Sequence, residues 1–290
     1  MAAVDDRSVA LCRILLRLQL RRLRQERGLN ASAVAKVFGW STARMTRLET
    51  KDTAVEVGDV RLLCDYYGAP LELRDELENY ALITKTRKDW WEEKPYKGKI
   101  PPWFQACLGL EAAARTIRIY QSEFVPGLTQ AQGYARAILA LSDADEETQS
   151  LHAAVRAKRQ SILERPDNPP SVTVILNEGI IRRPVGGAAV MRQQLLRLSK
   201  LAEQPHIEIR VLPFAAGAHP AMHGPFTLWD FEDPTVRELA YLETLIDGGV
   251  HSDAEKVAPF IDAFERLDAL AADPSLSVRM INDAAADLGR

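Results

Sequence analysis

Two glycines, Gly28 and Gly39, divide the stretch LRRLRQERGLNASAVAKVFGWSTARMTRLET into helical pieces too short to persist alone in water, so these pieces must pack together as a bundle. Leu16, Leu20 and Leu23 recur at helical spacing, and the helix they define is predicted to stop near Arg27, where Gly28 supplies a left-handed end. Asn30 or Ser32 is suited to cap a second helix with Val34, Ala35 and Phe38 inward, and Gly39 ends it. Ser41 then caps a third helix, its hydroxyl accepting from the free amides of the first turn, with Met45 and Leu48 inward. Further helices over residues 57–67 and 71–83 complete a five-helix bundle.

Two helices meeting at a tight turn that contains Gly39, with small Ala35 letting them cross closely, form a helix-turn-helix unit. Its second helix is the one that such units place in the DNA major groove. The candidate DNA-contacting residues are therefore Ser41, Thr42, Ala43, Arg44, Thr46 and Arg47. Arginine bonds guanine through two parallel N–H groups, threonine bonds a base or touches a thymine methyl, and Ser41 with the helix start suits a phosphate.

Charge supports the same expectation. Residues 1–50 hold 10 Lys or Arg against 4 Asp or Glu, a balance of +6, while the whole chain is -3, so the remainder is -9. A basic head on an acidic body is the pattern expected when one domain meets a polyanion. Forty-seven per cent hydrophobic residues over a chain of 290 is globular composition, large enough for two domains. No apolar run is long enough to span a membrane, the N-terminal stretch has charges within its apolar segment, and a cytoplasmic location is expected. Cys12, Cys64 and Cys107 lie far apart, without zinc or disulfide spacing, and read as free buried thiols.

Residues 1–83 are predicted to form the DNA-binding domain, 84–104 a linker rich in Lys, Pro and aromatic residues, and 105–290 an α+β regulatory and association domain. Trp90, Trp91 and Trp103 beside the linker suit either base stacking or a packing plug. LGLEAAARTIRIYQ reads as a helix, and helices follow at QAQGYARAILAL and EETQSLHAAVRAKRQSILE. The segments SVTVILNE, HIEIRVLPF, GPFTLWDF and RELAYLET read as strands, with a helix between the first two and two helices at the end. The expected fold is mostly α, a helical bundle followed by helices and a small mixed sheet.

The N-terminal stretch quoted above, followed by VEVGDVRLLCDYYGAP, resembles the XRE (phage-repressor-like) helix-turn-helix family over residues 16–83. It departs from that family at Ala31, where a DNA-contacting glutamine is common, and at Lys51, where a glycine is usual. The resemblance implies a bundle that binds operator DNA as a dimer. PGLTQAQGYARA, AKRQSIL, NEGIIRRPVGG, QLLRLSKLA, IEIRVLPFAAGAHPAMHGPFTL and LAYLET resemble, in order and spacing, the uncharacterised domain appended to XRE-type regulators of actinomycetes, over roughly residues 85–285. WhiJ-like regulators belong to that group, often encoded beside a small partner protein. This implies a cytoplasmic transcription regulator whose body senses a signal.

In the body, Arg182 and Arg183 precede a Gly-Gly turn at a helix start, a geometry suited to an anion, although neither nucleotide-binding glycine motif is present. His219 and His223 lie in a proline- and glycine-containing loop with no third ligand at metal spacing, so no metal and no cofactor is expected. Phe214, Met222, Phe226 and Trp229 suit a ligand pocket, a partner groove or the core; Arg182, Arg183, Phe214, His219 and Phe226 are the candidate ligand or partner residues. Glu178, Asp230, Glu232 and Glu243 form no pair by spacing, so no catalytic residues are assigned and an enzyme is not expected. The expected function is a homodimeric DNA-binding transcription regulator with an effector-sensing or dimerisation domain. The alternative is an antitoxin-like protein that binds a small partner and regulates its own operon.

Overall fold

The computed structural model describes residues 8–50, 55–142, 145–232, 238–244 and 248–289, and Lys51 lies outside them. The described residues divide into two compact units, residues 8–113 and those from 114 onward.

The first unit is helical: α1 (Val9–Glu26), α2 (Ala31–Val37), α3 (Thr42–Thr50), α4 (Val57–Tyr67), α5 (Leu71–Thr86) and α6 (Pro102–Ala113). Three of the breaks, α1 to α2, α2 to α3 and α4 to α5, fall on glycines in a conformation that does not continue a helix. Gly28, Gly39 and Gly68 all take positive φ, at 66°, 65° and 66°. Asn30, not Ser32, caps α2, accepting from the Ala33 amide at 2.8 Å. Leu16, Leu20, Leu23, Val34, Ala35 and Met45 are buried as their spacing predicts, whereas Leu48 and Phe38 are half-buried.

Helix α1 begins well before Leu16, because Val9, Leu11, Cys12 and Leu15 are also buried and α1 packs on α6. Ser8 Oγ accepts from Leu11 N at 3.1 Å and donates to Gly109 O at 2.7 Å. A Cβ at Gly109 would overlap that of Ala10, so the close approach of α1 and α6 requires glycine. Residues 84–104, expected as a linker, instead cluster with the helical unit: Trp91 and Ile100 are buried, and Trp90 meets Trp91 and Tyr96 edge-on. The apolar side chains on this segment outweigh its lysines in deciding where it lies.

The second unit carries a six-stranded sheet in the order β3-β2-β1-β4-β5-β6, built from β1 (Thr116–Gln121), β2 (Ser171–Asn177), β3 (Ile207–Leu212), β4 (Phe226–Asp230), β5 (Glu238–Glu243) and β6 (Gly248–His251). The first three strands are parallel, and β4 to β6 continue antiparallel. Between β1 and β2 run α7 (Gln132–Leu139) and α8 (Glu146–Gln160); between β2 and β3 run α9 (Glu178–Arg182) and α10 (Ala188–Leu201). The chain ends in α11 (Ala254–Leu270) and α12 (Pro274–Asp287). One core joins Tyr120, Ile175, Phe226 and Leu228 of the sheet to Val257, Phe264 and Leu267 of α11.

The mostly helical fold with a mixed sheet is the expected one, with two local corrections. TIRIYQ is the central strand β1 and not the end of a helix: its backbone pairs with β2 on one side and β4 on the other, partners distant in sequence, with Ile117, Ile119 and Tyr120 buried. The edge strand β6 was not anticipated, since Gly248 and Gly249 have poor strand propensity and pair only because β5 lies beside them.

Candidate nucleic-acid interface

The turn between α2 and α3 is built by local hydrogen bonds. Gly39 in its left-handed conformation lets Trp40 N reach Ala35 O at 2.8 Å, and Ser41 Oγ then accepts from Arg44 N at 3.1 Å to start α3. Met45 is fully buried beneath the helix. Ser41, Thr42, Ala43, Thr46 and Arg47 are all exposed, so the structure gathers five of the six candidate DNA-contacting residues on one solvent-facing surface. Arg47 has no hydrogen-bond or ion-pair partner among the described residues, and the other four, Ser41, Thr42, Ala43 and Thr46, carry short, neutral side chains. Such a surface lets a helix approach a groove closely while a cation reaches out from it.

Arg44, the sixth, sits differently. Its guanidinium lies over the Trp40 ring, 4.2 Å from the centroid, and Nη2 donates to Asp59 Oδ2 of α4 at 2.7 Å. Trp40 is backed by Phe38 at 5.1 Å between ring centroids, and Phe38 meets Tyr66 of α4 edge-on at 5.4 Å. Neither Trp40 nor Asp59 was identified from sequence. The only available signal was the aromatic residue between Gly39 and Ser41.

The far end of α3 is also held. Arg24 of α1 donates to both carboxylate oxygens of Glu49 and, through Nη1, to Leu29 O at 2.5 Å. The Glu49 hydrogen bond is the main reason that the Arg24 guanidinium holds its proton even more firmly than usual. Arg27 Nε donates to Tyr67 O at 2.6 Å, tying the end of α1 to the end of α4. The Ser41 cap and the Arg44–Asp59 and Arg24–Glu49 pairs thus tie α3 at both ends to its neighbours.

In the second unit the body residues fall at the carboxyl ends of the parallel strands, the end where open α/β sheets hold ligands. Glu178, directly after β2, accepts from Phe214 N at 2.9 Å and pairs with Arg182 at 3.3 Å. Arg183 pairs with Glu123 at 2.8 Å, and His219 Nε2 lies 3.4 Å from the Tyr120 hydroxyl. Burial pushes the His219 imidazole below its ordinary pKa and the Tyr120 phenol above its own. Phe214 and Met222 are 62% and 69% exposed, whereas Phe226 belongs to the core, packed on Tyr120, Phe260 and Phe264. His223 lies in the same loop, and no group of three or more His, Cys, Asp or Glu side chains among the described residues could hold a metal ion.

Comparison with known families adds two matches. Residues 15–77 match a family described as a helix-turn-helix domain, and residues 104–283 match one described as a domain of unknown function, DUF5753. The chain belongs to the DUF5753 family. The DUF5753 match begins within α6 and takes in the whole sheet, so the two matches divide the chain much as its two compact units do. No curated protein and no solved structure matches this DUF5753 chain. No helix among the described residues is long and apolar enough to cross a membrane.

Proposed function

We propose that this DUF5753 protein is a sequence-specific, XRE-type transcription regulator in which α3 enters the major groove of double-stranded operator DNA. The observation that carries the reading is the capped α3, tied at both ends to its neighbours, whose exposed surface presents Arg47 among Thr42, Ala43 and Thr46. The basic balance of residues 1–50 supports it, since a polyanion is attracted by net charge before any base is read. A single helix of this length reaches few base pairs, so the protein acts as a homodimer on half-sites about 34 Å apart, one helical turn, or a multiple of that.

The second unit is the regulatory body. A ligand changes the DNA-binding equilibrium only through its different affinities for the competent and incompetent states. The surface at the carboxyl ends of β1 to β3, with exposed Phe214 and Met222 near Arg182 and His219, is where such an effector engages. The same exposed apolar pair favours a second reading, in which a small partner protein docks there and DNA binding serves autoregulation in the manner of an antitoxin; the resemblance to WhiJ-like regulators, often encoded beside a small protein, supports a partner of that kind. Co-purification of the intact chain with its own operon separates the two. A stoichiometric small protein lost on Phe214→Asp and Met222→Asp supports the partner, and operator release by a metabolite fraction supports the effector.

A further inference from the structure

Arg44 is held by Asp59 and Trp40, whereas Arg47, three residues later on α3, has no such contact among the described residues, and the difference bears on what each side chain can bind. We infer that Asp59 and Trp40 are positioning residues that make Arg44 a reader of base edges and prevent it from acting as a phosphate contact; this rests on the DNA-binding reading of α3.

Charge sets the two arginines apart first. Asp59 is supplied by the first turn of α4, fifteen residues along the chain, and its side chain is only 16% exposed, so its carboxylate is held in place. At 2.7 Å it largely cancels the charge of the guanidinium. Phosphate is attracted by net positive charge, and a carboxylate beside the guanidinium repels it. Guanine O6 and N7 are acceptors on a neutral base, so the same carboxylate does not penalise them comparably.

Geometry adds direction. A guanidinium has five N–H donors in a planar fork. One Nη2 donor is committed to Asp59 and one face to the Trp40 ring, yet the side chain remains 43% exposed, leaving donors turned to solvent in a restricted orientation. A held arginine loses less side-chain freedom on bonding a base edge than a free one does. Arg47 has neither contact among the described residues. The two arginines of α3 are therefore divided in role, Arg44 toward base identity and Arg47 toward electrostatic attraction.

The test uses the full-length chain and a random-sequence duplex, following log K against log salt. Arg47→Ala is expected to flatten the slope by about 0.9, one phosphate contact, whereas Arg44→Ala leaves it unchanged. Asp59→Asn, close to isosteric and still an acceptor, is expected to tighten random-sequence binding and steepen the slope by about 0.9 as Arg44 becomes free to engage phosphate. Adding Arg44→Ala to Asp59→Asn should reverse that change, and Asp59→Glu should retain the wild-type slope. Circular dichroism of each variant identifies any that unfolds, and the Asp59→Glu and Arg44→Ala arms decide the matter independently of Asp59→Asn. Arg44→Ala flattening the slope as much as Arg47→Ala, or Asp59→Asn leaving it unchanged in a folded protein, overturns the assignment while leaving DNA binding intact. Absence of salt-dependent binding by the wild type to any duplex removes the DNA-binding reading, and this assignment with it.

Discussion

Arg24 and Glu49 form a two-pronged ion pair, with Nε and Nη2 at 2.6 and 2.7 Å from the two carboxylate oxygens, that closes the end of α1 onto the end of α3. Their side chains are only 12% and 5% exposed, so neither can be left without the other at low cost. Glu49→Ala, which strands the guanidinium, is expected to destabilise the helical unit by about 3 kcal/mol. Urea unfolding followed by far-ultraviolet circular dichroism checks this, and an unchanged midpoint would mean that Leu29 O and solvent suffice for Arg24.

The glycines of the bundle separate two costs. Gly28 and Gly68 have the same positive φ, but a Cβ at Gly28 meets open space and one at Gly68 overlaps the Arg27 guanidinium. Gly28→Ala is expected to cost about 1 kcal/mol from backbone strain alone. Gly68→Ala adds displacement of Arg27 from Tyr67 O, a further loss of about 1 kcal/mol. Thermal unfolding of both variants should rank Gly68→Ala the less stable; equal melting would show that Arg27 moves aside freely.

The bundle was legible in sequence because its signals are local. Gly28, Gly39, Asn30 and Ser41 each act on neighbours within four residues, and all do so in the structure as their chemistry predicts. Thr116–Gln121 was misread because an Ile-Arg-Ile-Tyr run directly after a helical segment is ambiguous until β2 and β4 are known to flank it. The Arg44–Asp59 pair was illegible for the same reason: it exists only once α4 packs beside α3. The exposed residues around Arg47 could be named from the helix period, but the state of Arg44 could not.

His219 links pH to the stability of the second unit. Burial lowers its folded-state pKa below the ordinary value of 6.5, so the unfolded chain binds more protons as pH falls through that value. Stability from this residue is therefore complete at neutral and higher pH and declines on acidification toward the depressed value. Glu238, whose carboxyl is raised chiefly by burial, acts in the opposite sense, and comparison with a His219→Gln variant isolates the histidine. Between about pH 7.5 and about pH 5.5 the wild type is expected to lose more stability than His219→Gln, by chemical denaturation. An equal loss would show that His219 protonates as readily folded as unfolded.

Helix α3 is expected to distinguish DNA sequences, and selection of binding sites from a randomised duplex pool by the full-length chain tests this most directly. Wild type should enrich a two-fold related motif with half-sites about one helical turn apart, and Arg44→Ala should relax selection at one position of each half-site while the others persist, a change of about 1 to 3 kcal/mol at that base pair. Failure of the wild type to enrich any motif, or enrichment of the same motif with undiminished preference by Arg44→Ala, Arg47→Ala and the double variant, would contradict the reading role of α3.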